Sequence, residues 1–236
     1  MDLNADLAEF DVVTPVRAQE PYYRLITSAN IACGGHAGTP DTMREAIELC
    51  ALRRVAPGAH PSYEDRPAFG RSSQTTSPDL VRRLLDAQVG ALLGVATALG
   101  VTLRHVKAHG TLYHDLARRT DLAEAAVLAL GQFPPPLRLY GPPDCALSKA
   151  AAAAGIPYVS EGFPDRRYGE DGLLLPRSHP DAVVHDPDEA AAYALLFARQ
   201  GRFDTLCIHA DHDASLARLT RIHHLLTSHG IVLTAP

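Results

Sequence analysis

Hydrophobic and polar positions along this chain switch repeatedly between a short and a long period. Short, mostly apolar runs predict strands at Asp2–Leu7, within Leu25–Cys33, and at Val55–His60, Thr102–His109, Leu137–Tyr140, Tyr158–Glu161, Thr205–His209 and Ile231–Leu233. Longer runs predict helices over Asp41–Arg53, Pro78–Leu99, Asp115–Leu130, Asp144–Ala154, Pro187–Arg199 and Ala214–Ser228. Ser77 before Pro78, Asp186 before Pro187 and Pro40 before Asp41 supply cap residues or first-turn prolines. Gly100, Gly155 and Gly230 each follow a helix, as left-handed caps do. Strands alternating with helices predict a parallel sheet with crossover helices. Six to eight such units, with no low-complexity linker and no repeat, favour a barrel over a doubly wound sheet and one domain spanning residues 1–236.

Composition narrows the function classes. With 236 residues the chain buries enough surface to need no disulfide or metal for stability. A net charge of −5, without a dense Lys/Arg run, argues against nucleic acid, which needs a basic stripe to replace counterions. The longest weakly charged stretch, Ala87 to Val101, is too short and too glycine-rich to span a bilayer. The N-terminus enters a strand pattern directly, without the basic and apolar regions of a secretory signal. Cys33, Cys50, Cys145 and Cys207 form no CxxC pair and read as reduced thiols of a cytoplasmic protein.

The candidate chemistry sits where strands end. The first strand runs into Asn4, Asp6 and Glu9, and the second into Cys33-Gly34-Gly35-His36. The third gives Gly58-Ala59-His60-Pro61, the fourth Lys107-Ala108-His109-Gly110. Later ends carry Glu161, with Asp165 and Arg166 just beyond, and His209-Ala210-Asp211. In parallel α/β barrels all strand carboxyl ends lie on one face, where active sites are found, so these residues are expected to converge. A lone histidine near a strand end is ordinarily structural; four at equivalent ends, three of them beside Gly or Pro, read as a functional set. The other histidines, among them His105 and His114, read as structural.

Asp6 and Glu9 are a candidate carboxylate pair. Lys107 and His109, two residues apart, share a face if the strand continues, and would hold an anion and move a proton. The bland alternative is a buried lysine paired with Asp6. Asp6, His36 and His60 are candidate ligands for zinc or another divalent ion. No Gly-x-Ser-x-Gly frame surrounds Ser73, Ser77 or Ser160, and neither a Walker motif nor GxGxxG is present, so a serine hydrolase and ordinary nucleotide binding are not expected.

The ordered segments "DLNADLAE", "SANIACGGHAG", "GAHPSYEDRPAFGR", "VKAHGTLYHD", "EGFPDRRYGEDGLLLPR" and "CIHADHDA" resemble the LamB/YcsF family, the 5-oxoprolinase A subunits, from Asp2 to about Gly230. The resemblance implies an irregular (β/α) barrel of the glycoside hydrolase/deacetylase type. It implies ATP-dependent opening of 5-oxoproline to glutamate together with subunits B and C; coupling to ATP makes chemical sense if the lactam oxygen is phosphorylated, which turns a poor electrophile into a good one. Carried over residue by residue, it picks out Asn4, Asp6, Glu9, His36, His60, Lys107, His109, Glu161, Arg166, His209 and Asp211. From their chemistry, Asp6, Lys107 and His109 are expected in catalysis and the others in substrate binding, with Arg177 as a further anion contact or loop anchor. The sequence departs from the family pattern at Ala5, Ala8, Thr39, Ala108, Pro164 and Ala210; Ala8 and Ala210 replace glycines and are expected to alter the local backbone. Rival readings are a stand-alone metal-dependent deacetylase and a non-catalytic subunit that binds a small acid; a homo-oligomer is compatible with all three.

On the anion-holding reading, Lys107→Ala abolishes turnover with the melting temperature nearly unchanged. On the ion-pair reading the same variant unfolds, and a thermal melt separates them.

Overall fold

A computed structural model describes residues 1–9, 16–134, 136–169, 174–175, 179–210 and 214–236. Among these, seven parallel strands close into a barrel in sequence order. They are β1 (Asp2–Leu7), β2 (Ser28–Ala32), β3 (Ala56–His60), β4 (His105–Lys107), β5 (Arg138–Gly141), β6 (Tyr158–Gly162) and β7 (Thr205–Ile208), with β7 returning to pair with β1. A 3₁₀ turn (Val16–Gln19) and α1 (Glu20–Tyr23) follow β1; α2 (Pro40–Arg53) and α3 (Pro78–Ala98) follow β2 and β3. Then come α4 (Gly110–Arg118) and α5 (Thr120–Leu130) after β4, α6 (Ala146–Ala153) after β5, α7 (Pro187–Gln200) after β6, and α8 (Ser215–Ser228) after β7. This is the expected (β/α) barrel.

The caps read from the sequence close the helices. Ser77 Oγ accepts from the Leu80 N–H and an Asp186 carboxylate oxygen from the Glu189 N–H, each satisfying an orphan donor of the first turn. Thr39, one of the departures from the family pattern, forms a reciprocal capping box with Thr42 at the start of α2.

Strands buried on both faces usually read as continuous apolar runs, but β1 alternates. Leu3, Ala5 and Leu7 join the apolar core against the helices, while Asp2, Asn4 and Asp6 are equally buried and point into the barrel. The interior is therefore a stack of polar layers. At the bottom, Asp2 accepts hydrogen bonds from Thr27 (2.5 Å), Ser28 (2.8 Å), Thr205 (2.6 Å) and Tyr140 (3.1 Å). In the next layer Asn4 Nδ2 donates to Thr205 Oγ1 (2.7 Å) and Glu161 Oε1 (3.0 Å), and its Oδ1 accepts from Asn30 Nδ2 (2.7 Å). Asn30 Nδ2 also donates to Asp6 Oδ1 (2.8 Å), which lifts the network to the carboxyl ends of the strands. Asp2, Asn4 and Asn30 are bonded to their neighbours, the condition under which polar groups are tolerated in a core, while Glu161 Oε2 has no hydrogen-bond partner.

His105, read as structural, fills this interior: it stacks on Tyr140 with ring centroids 4.2 Å apart and bonds Asn30 Oδ1 through Nε2 at 2.7 Å. It reaches Asn30 across Gly58, which lies between the two in register.

Three expectations about elements are corrected. Ile231–Leu233 is not a strand; β1 already pairs with β2 and β7, so no barrel edge is open to it, and the segment is tied to Leu226 O through the Ile231 N–H and to Met1 through Val232 O and the neighbouring Thr234 N–H. The helix expected over Asp115–Leu130 is two helices, because Arg119 is extended (φ −108°, ψ 113°). No Gly or Pro marks that break; Arg119 instead pairs with Asp121 in the first turn of α5. Finally, β4 ends at Lys107, so the strand-face partner of Lys107 is His105, and His109 is the residue that starts α4.

Gly58→Ala would place a methyl 2.2 Å from the His105 ring. We expect a loss of about 1–3 kcal/mol or more in urea unfolding, the usual cost of overpacking; an unchanged midpoint would contradict this picture of the interior.

Candidate active site

At the carboxyl ends of the strands the polar stack meets a cavity of about 480 Å³. Its lining includes Asp6, His60, Lys107, His109, Phe163 and His209, drawn from β1, β3, β4, β6 and β7 or the residues just after them. Convergence of the strand ends is thus realised.

Lys107 is the centre. Its ammonium is buried and lies 2.8 Å from Asp6 Oδ1, 3.1 Å from Glu161 Oε1 and 2.8 Å from Cys207 Sγ. Burial alone would lower its pKa, but Asp6, Cys207 and Glu161 hold it well above the ordinary lysine value. Burial alone would raise the Asp6 carboxyl; the charges of His60 and Lys107 bring it well below the ordinary range. Glu161 goes the other way: burial raises it, the neighbouring Asp6 adds to the rise, and Lys107 only partly offsets them. The ion pair with Asp6, the bland alternative for Lys107, is therefore present, and it lies at the cavity wall.

Above this pair sits a tight group of imidazoles. His36 and His109 stack with centroids 3.7 Å apart, and His60 meets both edge-on. Glu9 Oε1 lies 2.9 Å from His36 Nε2 and 3.2 Å from His109 Nδ1. Burial lowers His36 to about 4 and also lowers His109, whereas the carboxylates of Asp6 and Glu9 outweigh burial at His60 and raise it. The loops that carry these rings are pressed together: a Cβ on Gly110 (φ +56°) would lie 2.4 Å from the Gly70 carbonyl oxygen. Ala8, where the family pattern has glycine, adopts φ +59° and is fully buried, with its N–H donating to Gln19 Oε1 at 2.8 Å. The left-handed conformation is kept at a cost of about 1–2 kcal/mol for the β-carbon. Ala210, the other glycine replacement, has no positive φ.

A second, separate group faces the same cavity. Asp165 Oδ2 accepts both the His209 backbone N–H (3.0 Å) and its ring at Nδ1 (2.9 Å). A carboxylate oxygen here accepts, so Nδ1 carries the hydrogen and Nε2 is left as the basic nitrogen. His209 stacks on Phe163. Burial would raise the Asp165 carboxyl, but His209 holds it below the ordinary value of 3.8.

Of the expected site residues, Asp6, His60, Lys107, His109, Arg166 and His209 line the cavity. Asn4 and Glu161 lie beneath it, supporting Lys107, and Glu9 and His36 lie behind the histidines. Asn4 is thus placed for support rather than substrate contact. Arg166 donates to the carbonyls of Ala182 and Leu175, so part of its fork fastens the loop after β6. Asp211 and Arg177 lie outside the described residues. Among the described residues Glu9, His36, His60 and His109 form a group of potential metal ligands that does not include Asp6; the Asp6 Oδ1 is taken by Lys107 and Asn30. Sequence reasoning passed over Asp165 as a partner, Asn30, and the cavity residue His114. Asn30 carried a signal, since Ser28 and Asn30 repeat at period two inside an otherwise apolar strand.

The LamB/YcsF family model matches residues 1–236. The chain belongs to that family. Among LamB/YcsF relatives, the 5-oxoprolinase A subunit of Symbiobacterium thermophilum is 43% identical, the match covering 100% of this chain and 95% of the relative. The corresponding protein of Methylococcus capsulatus, which bears the same name, is also 43% identical, with the same coverage. A lactam utilization protein from Thermus thermophilus superposes with a TM-score of 0.92 at 36% identity, covering 100% of this chain and 99% of that one. The catalytic domain of a peptidoglycan N-acetylglucosamine deacetylase from Eubacterium rectale shares the fold, with a TM-score of 0.54 at 9% identity over 99% and 87% of the two chains. That likeness bears out the barrel type expected from the sequence. Among the described residues no helix is long and apolar enough to cross a membrane.

The buried charges can be tested one at a time. Lys107→Met strands two buried carboxylates and should cost about 3–5 kcal/mol in chemical unfolding, replacing the expectation of an unchanged melting temperature; a loss below about 1 kcal/mol would contradict the ion-pair assignment. The depressed Asp165 carboxyl contributes stability that is present above its ordinary value of 3.8 and is lost as the pH falls through its lower, folded-state value. Asp165→Asn should therefore flatten the acid limb of a stability–pH curve, and an unaltered limb would exclude the pairing with His209.

Proposed function

We propose that this chain is the A subunit of a 5-oxoprolinase, opening the lactam of 5-oxoproline to glutamate with ATP and with B and C subunits. The observation that carries the reading is the end-to-end match to relatives bearing that name, in a chain whose strand-end polar residues meet in one cavity. Opening the lactam adds the oxygen of water to the ring carbonyl carbon and breaks the C–N bond, while the coupled ATP is cleaved at the expense of a second water to ADP and phosphate. The water gives up its protons, and the ring nitrogen gains one as it leaves as the free amine.

The site has residues for each part of this exchange. His209, with its tautomer set by Asp165, takes a proton at Nε2 from water and returns it to the leaving nitrogen. Lys107, beside the Phe163 ring at 5.4 Å, presents positive charge to the oxygen that becomes negative when water adds. Phe163 and the aliphatic part of Lys107 offer an apolar wall for the flat ring. Glu161 and Asn4 hold Lys107 in place.

The sequence has no phosphate-cradling glycine loop. We assign the nucleotide to the assembly with B and C.

The test is glutamate release from 5-oxoproline by the purified chain, alone and with B and C subunits that are active with the A component of a relative. ATP-dependent release only in the three-component mixture is expected; none in any mixture would remove the reading. His209→Gln should lower kcat about 10²–10⁴-fold, the range for a general acid–base group, with little change in unfolding midpoint.

A further inference from the structure

Two imidazole nitrogens face each other at the top of the barrel with a proton or a metal ion needed between them. His60 presents Nδ1 to the carbonyl oxygen of Lys107 at 2.7 Å, and His109 presents Nε2 to the carbonyl oxygen of Phe69 at 2.9 Å. A carbonyl only accepts, so both of these nitrogens carry hydrogen. In the neutral rings the remaining nitrogens, His60 Nε2 and His109 Nδ1, are then lone-pair acceptors, yet they lie 3.0 Å apart and are buried. Two lone pairs at that separation repel unless a cation stands with them.

The surroundings supply the rest of a ligand set. Glu9 Oε1 lies 3.2 Å from His109 Nδ1, 3.6 Å from His60 Nε2 and 2.9 Å from His36 Nε2. His36 Nδ1 has no hydrogen-bond partner, so its tautomer follows whatever Nε2 binds. One donor atom from each of the four residues falls within 4.8 Å of the others. The residues come from four successive strand–helix connections and are held from behind. The His36 N–H donates to Ser62 Oγ at 2.7 Å, and Phe69 keeps a left-handed φ of +54° while its carbonyl receives His109. Backbone carbonyls on the outer nitrogens of histidines are the supporting contacts that metal ligands ordinarily have, and a strained residue at such a contact indicates that its position matters.

We propose that Glu9, His36, His60 and His109 bind one divalent metal ion, with zinc the best fit to three imidazoles and a carboxylate, and that Asp6 is outside the ligand set. Asp6 Oδ1 is held by Lys107 and Asn30 at 2.8 Å each, and its Oδ2, 3.3 Å from His60 Nε2, is a nearby balancing charge. A zinc ion held there would polarise a carbonyl or a water at the edge of the cavity only by taking it as a fifth ligand or in place of one of the four. The proposal deepens the hydrolase reading, but its test is a binding measurement and does not need turnover.

The full chain is stripped with a chelator, dialysed and titrated with Zn²⁺ against a chromophoric competitor, with metal content measured after gel filtration. One ion per chain is expected, and Co²⁺ in its place should give the visible absorption of a nitrogen-ligated ion. Glu9→Gln and His109→Ala should each weaken binding more than the roughly 10–100-fold that loss of a supporting partner causes. Asp6→Asn should change it less than about 10-fold, below the range for such a partner, with circular dichroism checking the fold of each variant. Absence of stoichiometric binding by the unmutated chain would mean that a proton fills the gap and would overturn the proposal. An Asp6→Asn loss as large as that of Glu9→Gln would overturn the ligand set. Stoichiometric zinc without glutamate release from the competent three-component mixture would leave the metal site standing and remove only the lactam reading.

Discussion

A single buried ammonium organises this barrel. Lys107 lies between Asp6 and Glu161 and, with His60 beside Asp6, balances the carboxylates buried there. The three charges fix the relation of β1, β4 and β6 at the end of the barrel where the cavity opens. Everything beneath them continues the same bonding: Asn30 and Asn4 carry hydrogen bonds down to Asp2 and its ring of hydroxyl donors. A barrel interior is commonly packed with branched aliphatic side chains. Here polar groups take that place, so the positions of the site residues are set by directional bonds as well as by packing.

This design has a consequence for how the site is divided. The Asp6–Lys107–Glu161 chain forms the floor, the imidazole cluster with Glu9 forms one wall, and the Asp165–His209 pair stands on another. The groups differ in protonation for physical reasons. Burial lowers His36 and His109, carboxylates raise His60, and Glu161 is pushed up while Asp6 is pushed down. Carboxyls and imidazoles moved apart in this way are suited to different roles in one reaction.

Much of this was legible in the sequence because strand ends leave a local mark. Alternation in Asp2–Leu7, glycines beside His36 and His109, Pro61 beside His60, and prolines at Pro78 and Pro187 all report constraints that act within a few residues. What was not legible depended on distant partners. Nothing local says that Ile231–Leu233 finds both edges of β1 occupied, or that the helix at Arg119 breaks where no glycine or proline stands. Asp165 was visible only as a neighbour of Arg166; its role comes from a contact 44 positions away. The choice of Glu9 over Asp6 in the group of potential metal ligands likewise depends on Asn30 and Lys107 taking one Asp6 oxygen.

The central claim is that the cavity bounded by Lys107, Phe163 and His209 is where the lactam is held. A crystal structure of the chain soaked or co-crystallised with 5-oxoproline tests it most directly. The account predicts the ring in that cavity, its carbonyl toward Lys107 and its nitrogen toward His209. Ligand bound only at the opposite end of the barrel, or an empty cavity at saturating concentration, would contradict it.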